Sequence, residues 1–348
     1  MTDTAASSRS PIARMLAPRS VAIAGVSSTP GSLGGGVLAN LDKFAFKGDI
    51  HLIHPKQPEI AGRQTVPSTQ DLPLGVDCVV LAIPSAGVLA AVKGCGERGV
   101  GGVIIFSAGF AEAGEEGRAR QAELVKLAAN YQMVIAGPNC LGLVNNVDDV
   151  CLTFSVVEPR KPQGPALAVV SQSGAMASVV RAALEARDMP ISITVSTGNE
   201  AVNGSEDFIE HLIEQDHTKA IAVVAEQIRQ PRRFLALAAR AREKAKPIVL
   251  LHPGRSNAAQ QSAITHTGAM TGDWQVMKTL TTHAGVTLVD TMDELIDVCE
   301  MMIRFPQLPS KGAIVLGESG AFKAMMLDLA EAVGLDLPEP QGASRTIA

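Results

Sequence analysis

The chain has 348 residues, 46% of them hydrophobic and 3% aromatic, and its 30 basic and 35 acidic residues leave a formal charge of −5. At about 150 residues per domain this is length for two or three domains, and the apolar content excludes disorder over most of the chain. An acidic balance with one Trp and one Tyr excludes a basic footprint for nucleic acid and an aromatic platform for single strands. From the N-terminus, residues 1–11 are rich in Ser, Thr and Ala without an apolar h-region, and read as a frayed tail. Continuous Val- and Ile-rich runs predict strands at 20–27, 49–55, 77–84, 101–109 and 133–137, with helices at 86–98 and 115–131. Continuous rather than alternating hydrophobicity means burial on both faces, as in a doubly wound parallel sheet. Residues 147–163 break the rhythm with Asp148, Asp149, Pro159, Lys161 and Pro162, which places a domain boundary there. A second series predicts strands at 166–170, 191–196, 220–226, 247–252 and 287–289, and helices at 175–186, 206–214, 231–244 and 292–303. After a linker at 306–311, one strand at 312–317 and one helix at 321–333 open a third domain. One strand and one helix cannot bury both faces of a parallel sheet, so this domain reads as unfinished.

Cys78, Cys95, Cys140, Cys151 and Cys299 form no C-x-x-C pair and are odd in number, which suits a reducing, cytoplasmic setting. The uncharged runs at 127–147 and 162–180 are interrupted by Pro, Gly, Gln and Asn, so no membrane span is expected. His51, His54, His252 and His283 lack the spacing of a metal site.

The first strand runs into Gly25-Val26-Ser27-Ser28-Thr29-Pro30-Gly31-Ser32-Leu33-Gly34. A glycine- and hydroxyl-rich turn before a helix suits phosphate, because free N–H groups and the helix dipole both favour an anion; a tight turn with no ligand is the plain alternative. The second strand ends in His54-Pro55-Lys56, where nicotinamide-binding Rossmann domains usually carry an acid for the ribose hydroxyls. A lysine attracts phosphate instead. An NADP pocket tolerates that, but a phosphate-bearing adenosine ligand such as coenzyme A fits better.

These stretches, followed by Ser107-Ala108-Gly109-Phe110 and Gly137-Pro138-Asn139-Cys140-Leu141-Gly142, resemble the CoA-binding domain of the NDP-forming acyl-CoA synthetases. Ser171-Gln172-Ser173-Gly174, Gly198-Asn199-Glu200, Gly254-Arg255-Ser256 and Thr265-His266-Thr267-Gly268 resemble the ligase domain of the same family, in the same order. That superfamily includes the ADP-forming acetyl-CoA synthetases and the alpha subunit of succinyl-CoA synthetase. The resemblance implies an α/β fold: a Rossmann-like CoA-binding domain over 12–150, a flavodoxin-like ligase domain over 163–305, and the start of a third flavodoxin-like domain over 311–348. It implies a reversible relay in which an enzyme histidine carries phosphate between the nucleotide and the carboxylic acid, giving an acyl phosphate whose acyl group the CoA thiol captures with release of phosphate.

On that reading His266 is the phosphocarrier and Glu226, at a strand end, is the carboxylate that holds its other nitrogen. Ser171, Ser173, Gly174, Gly198, Asn199 and Gly268 bind phosphate, and Gly25, Ser27, Ser28, Gly31, Gly34, Lys56, Pro84, Ser107, Gly109, Phe110 and Asn139 bind CoA. Cys140 has no His near it in sequence and is expected to shape the substrate region rather than act as a nucleophile. Complete family members also carry an ATP-grasp part, fused or on a second chain, which holds ATP or ADP with Mg²⁺. Neither an ATP-grasp pattern nor a Walker A motif occurs in this sequence, so a partner domain or subunit, an oligomeric assembly and a chain that is a subunit or fragment are expected. Gly317-Glu318-Ser319-Gly320 replaces the more usual Asn-Ala-Gly-Gly turn of the third domain. The competing readings are a non-catalytic CoA-binding regulatory module and an NAD(P)-dependent oxidoreductase, the latter disfavoured by Lys56. Acetate, a short branched acid, a dicarboxylate and an aryl acid all remain open as substrates; the scarcity of aromatics weighs mildly against a stacking pocket for an aryl acid, although Phe106, Phe110 and Phe154 could supply one.

Overall fold

The structure, a computed structural model, describes residues 9–27, 29, 31–256, 274–305, 307 and 314–338. It falls into two compact units, Met1–Ile303 and Arg304–Ala348. The first unit contains two seven-stranded sheets. Sheet one is built from β1 (Ser20–Ala24), β2 (Asp49–Ile53), β3 (Glu59–Ile60), β4 (Arg63–Val66), β5 (Cys78–Leu81), β6 (Gly102–Ile105) and β7 (Val134–Ala136). Its order is β3-β4-β2-β1-β5-β6-β7, parallel except for β3 against β4. Sheet two is built from β8 (Gly142–Asn145), β9 (Val150–Leu152), β10 (Ala166–Ser171), β11 (Ile191–Ser196), β12 (Thr218–Val224), β13 (Ile248–Leu251) and β14 (Thr287–Val289), in the order β14-β13-β12-β10-β11-β8-β9. The strands from β14 to β11 are parallel, and β8 and β9 add an antiparallel edge.

The strands read from continuous apolar runs are all present in this unit, and the central ones are buried along their whole length. β1 and β6 stop at Ala24 and Ile105, short of the expected 27 and 109, because the residues beyond them leave the sheet as loops. The chain enters sheet two at Gly142, upstream of the expected boundary at 150. The β8–β9 turn is held by Asn145, whose Oδ1 accepts the N–H groups of Val147 (2.9 Å) and Asp148 (3.1 Å). One contiguous apolar core, including Val26, Phe106, Leu143, Ile193 and Phe208, runs through both sheets.

Helices α1 (Pro11–Leu16), α2 (Leu33–Lys43), α3 (Ser85–Glu97), α4 (Glu115–Tyr131), α5 (Gly174–Ala186), α6 (Ser205–Glu214) and α7 (Pro231–Glu243) cover the sheets, followed by Trp274–His283 and Met292–Arg304. The expected frayed tail is tied down at its end. Ser10 caps α1 by accepting the Ala13 N–H (3.3 Å), and Arg9 and Arg14 both pair with Asp77 (2.5 and 2.6 Å). No described helix is long and apolar enough to cross a membrane.

In the second unit the described structure is helix Gly320–Ala332, close to the expected 321–333. The strand expected at 312–317 does not form over its described part: 314–317 pair with no described strand, and Ile314 and Leu316 are 80% and 88% exposed. An apolar run becomes a strand only where a neighbour completes its hydrogen-bond ladder, and the described residues of this unit provide none.

Candidate functional site

The described candidate residues gather at the carboxyl ends of the two sheets. The parallel strands of each sheet start in the centre, at β1 and β10, run to one side and then return to the other, which opens a crevice where ligands of such folds collect. In sheet one this crevice is a cavity of about 440 Å³, lined among others by Gly25, Ser27, His54, Pro55, Thr69 and Ile83. Gly25 has φ +87°, and a Cβ there would sit 2.1 Å from the Ala82 carbonyl oxygen, so only glycine lets the chain leave β1 so close to β5. Ser27 Oγ accepts the Thr29 N–H (3.1 Å) and Ser32 Oγ caps α2 through the Gly35 N–H (3.2 Å). Gly31 stands in open space beside this turn and Gly34 packs against Gly25. Ser28 lies outside the described residues.

At the end of β2, His54 Nδ1 accepts the N–H groups of Lys56 (3.1 Å) and Gln57 (2.8 Å), which leaves the proton of the neutral ring on Nε2. Lys56 is exposed just beyond Pro55 and is not itself part of the lining. No described carboxylate lines this cavity. A rim of N–H, hydroxyl and imidazole donors with a lysine beside it fits a phosphate-bearing ligand and offers no acid for a ribose diol. Pro84 begins α3, and Ser107 Oγ donates to the Ile83 carbonyl (2.5 Å), so both stand next to the cavity wall.

A second group forms where the loops of the two sheets meet. Asn139, exposed with φ +58°, donates through Nδ2 to Asn199 Oδ1 (3.4 Å). Gly198 (φ +60°) brings that Asn199 loop over Pro138, where a Cβ would lie 2.4 Å from the Pro138 carbonyl oxygen. Asn199 in turn donates to Glu112, whose other oxygen accepts from Gly109 and Phe110. Burial pushes the Glu112 carboxyl up, but the Asn199 amide and these backbone N–H groups outweigh it and hold it below its ordinary value. The Phe110 side chain is fully buried under the Arg120 guanidinium, which stands 5.9 Å from the ring centroid. Only the backbone of Phe110 faces the loops. Cys140 is buried, its Sγ donates to the Ile105 carbonyl (3.4 Å), and burial pushes the thiol up to about 12, which makes it inert.

In sheet two the crevice is a cavity of about 670 Å³ lined by Ser173, Glu226, His252, Arg255, Asp290 and neighbours. Ser173 Oγ caps α5 by accepting the Met176 N–H (3.3 Å), so the positive end of that helix faces the cavity. Gly174 is the first residue of α5 and lies on Leu141, while Ser171 is fully buried, with its Oγ donating to the Ser173 carbonyl (2.7 Å). Gln172 clamps the end of β12: its Oε1 accepts the N–H groups of Glu226 (2.7 Å) and Gln227 (3.0 Å), and its Nε2 donates to the Gln227 carbonyl (2.6 Å). That leaves the Glu226 carboxylate exposed at the cavity edge. Arg255 pairs with Asp290. His252 Nδ1–H donates to the Ala225 carbonyl (2.6 Å), and its ring stacks on Trp274 at 5.8 Å between centroids. Burial holds His252 below its ordinary pKa, so it is a neutral ring. His266 and Gly268 lie outside the described residues. Gly198 and Asn199 join the loop cluster rather than the lining of this cavity. Among the described residues, no group of three or more His, Cys, Asp and Glu could hold a metal.

Sequence reasoning passes over Gln172 and Glu112 and treats His252 as a secondary histidine. Gln172 stands inside a motif that the sequence does mark; Glu112 carries no signal beyond an acid shortly after Gly109.

Residues 19–146 match the family model described as a CoA binding domain, and residues 163–302 match the succinyl-CoA ligase like flavodoxin domain. The chain is 48% identical over 94% of its length to trans-feruloyl-CoA synthase FCS1 of an unknown prokaryotic organism, and covers 46% of that protein. It is 32% identical over 92% of its length to acetate–CoA ligase (ADP-forming) I subunit alpha of Pyrococcus furiosus, and covers 69% of it. The fold superposes on the dinucleotide forming acetyl-coenzyme A synthetase 1 of Ca. Korarchaeum cryptofilum, in complex with phosphate and ADP, with a TM-score of 0.86 at 28% identity over 95% of this chain and 70% of that one. The chain spans about half the length of the first curated relatives it matches.

Proposed function

Since the chain belongs to the NDP-forming acyl-CoA synthetase family, we propose that it forms the CoA-binding and phosphoryl-relay part of an ADP-forming acid–CoA ligase acting on a hydroxycinnamic acid. The observation that carries the choice of acid is the 48% identity to a trans-feruloyl-CoA synthase over 94% of this chain. The first cavity would take CoA, with its phosphates on the turn formed by Gly25, Ser27, Ser28, Gly31 and Gly34 and near Lys56. The thiol arm would pass Pro84, Ser107, Gly109, Phe110 and Asn139.

The cavity of sheet two would take the phosphoryl group. Ser173 and Gly174 present the N-terminus of α5 to it, backed by Ser171, with Gly198 and Asn199 on the adjoining loop and Gly268 beside the histidine. His266 would attack phosphorus with one neutral nitrogen while the acyl carboxylate or the nucleotide leaves. Glu226 would accept the N–H of the other nitrogen and balance the charge that develops on the ring. ATP or ADP with Mg²⁺ belongs to an ATP-grasp part, on the same polypeptide or on a partner subunit of an oligomeric, cytoplasmic enzyme.

The test is label transfer from γ-labelled ATP to this chain, assembled with the ATP-grasp part of the enzyme. Acid-labile, base-stable label is expected, absent in His266→Ala and formed about a hundredfold more slowly in Glu226→Gln. Label that persists in His266→Ala moves the carrier elsewhere, with His252 the first alternative. The absence of any label in the wild-type assembly favours a non-catalytic CoA-binding module. In the same assembly ferulate should be converted to its CoA thioester ahead of acetate; a preference for acetate rejects the proposed acid class.

A further inference from the structure

Three residues that the sequence singled out, Gly109, Phe110 and Asn199, meet at one that it did not, Glu112, and a fourth, Asn139, joins them through Asn199. Glu112 Oε1 accepts the N–H groups of Gly109 (2.6 Å) and Phe110 (3.1 Å), and its Oε2 accepts from Asn199 Nδ2. Gln121 Oε1, already accepting the Ala111 N–H at 3.3 Å, takes the same Asn199 amide nitrogen at 3.3 Å. Two acceptors on one side leave Asn199 no choice but to turn its Oδ1 the other way. There it meets Asn139 Nδ2, at 3.4 Å.

An ionised carboxylate can only accept, so the polarity of the relay Glu112–Asn199–Asn139 is fixed from its half-buried Glu112 end outward. An amide's nitrogen and oxygen point apart. With Nδ2 given to Asn199, exposed Asn139 presents its carbonyl oxygen away from the relay.

The position of that oxygen matters because of what lies on either side. The Asn139 N–H donates to the Ser107 carbonyl (3.0 Å), and Ser107 Oγ donates to the carbonyl of Ile83, which lines the cavity of sheet one. On the other side Asn199 follows β11 of sheet two. A ligand with its phosphates at Ser27 and its reactive end directed toward sheet two passes Ile83, Ser107 and Asn139.

We propose that Glu112 is a positioning residue for CoA: through Asn199 it orients the Asn139 amide, which then offers an acceptor to a donor on the thiol-bearing arm of CoA, an amide N–H or the thiol itself. This rests on the reading of the chain as CoA-binding. Glu112→Gln sets an NH₂ group against the Asn199 NH₂ group and removes the preference of the relay for one direction. Asn199→Asp sets two carboxylates against each other. The combined exchange restores each link from residue 112 to Asn139 and loses only the 3.3 Å contact between residue 199 and Gln121 Oε1. The introduced glutamine donates to the introduced aspartate, the aspartate accepts from Asn139, and the glutamine oxygen still serves Gly109 and Phe110.

The experiment is calorimetric titration of the full chain with CoA, with the melting temperature recorded for each variant. Each single variant is expected to weaken CoA about tenfold, the effect of one hydrogen bond, and the double variant to return to within about threefold of wild type. A merely structural role would make the two losses add. A second variant guards against loss of folding: Asn139→Gly removes the acceptor and suits φ +58°. It should weaken CoA as Glu112→Gln does, and adding Glu112→Gln to it should cause no further loss. CoA affinity unchanged in Asn139→Gly, or additive losses in the double exchange, overturns the relay while leaving CoA binding intact. A wild-type chain that does not bind CoA overturns the reading beneath it as well.

Discussion

Gly25 is the residue on which the first cavity turns. With φ +87° and a Cβ position 2.1 Å from the Ala82 carbonyl oxygen, Gly25→Ala must either strain the backbone or push β1 from β5. We expect a loss of about 2–4 kcal/mol, read as a lower denaturant midpoint, together with loss of CoA binding. At this scale the sequence was legible where chemistry is contiguous: the hydroxyl and glycine turn after β1 and the Ser171–Gly174 quartet both sit at strand ends. It was illegible where a role depends on a distant partner. Gln172 acts on Gln227, 55 positions away, and Glu112 on Asn199, 87 positions away. Nothing near either residue in the chain marks that pairing. Phe110 shows the converse: its place in a motif suggests a ligand contact, and with its ring in the core only its backbone is left to make one.

Among the elements, α1 is too short to be stable alone and is held by the Asp77 carboxylate. Arg9 and Arg14 pair with it, and the Arg19 N–H donates to it at 2.8 Å. Burial pushes this carboxyl up, yet the bonds from Arg14, Arg19 and Arg9 outweigh it and hold it below its ordinary value. A carboxyl with a depressed folded-state pKa contributes stability above its unfolded value and loses it as pH falls through the folded one. Asp77→Asn should therefore destabilise the protein by roughly 2 kcal/mol at pH 7. The gap from wild type in urea unfolding should narrow as pH drops below about 4, and a gap independent of pH would remove the carboxylate from this role. α1 escaped the sequence reading because six residues give too little periodicity. α2 is expected after the phosphate turn but without bounds, because Gly34, Gly35 and Gly36 oppose helix by about 1 kcal/mol each; close packing on Gly25 and Phe154 overrides that preference. The parallel strands were legible because burial on both faces leaves no polar alternation, whereas β8 and β9 are short antiparallel strands at one side of sheet two whose charged turn reads as a linker.

For the molecule as a whole, a ligand that binds only the folded state raises the stability of the entire first unit, by about 2.7 kcal/mol at a hundred times its Kd. CoA should raise the melting temperature of the chain, and NADH and NADPH should leave it unchanged; a shift with the nicotinamide nucleotides alone would return the oxidoreductase reading. The path of the backbone between the sheets has a consequence for how the protein can be divided. Sheet two takes β8 and β9 from the stretch before residue 153, although the family match for its domain begins at 163. A fragment begun at 163 would keep β10 to β14 but strip β8 from β11, leaving a fully buried strand with one row of backbone groups open to any passing chain. Sequence families count two modules here, but a pair of scissors placed between them would produce a soluble-looking half with an adhesive edge; the cut that respects the hydrogen-bond ladder falls before Gly142.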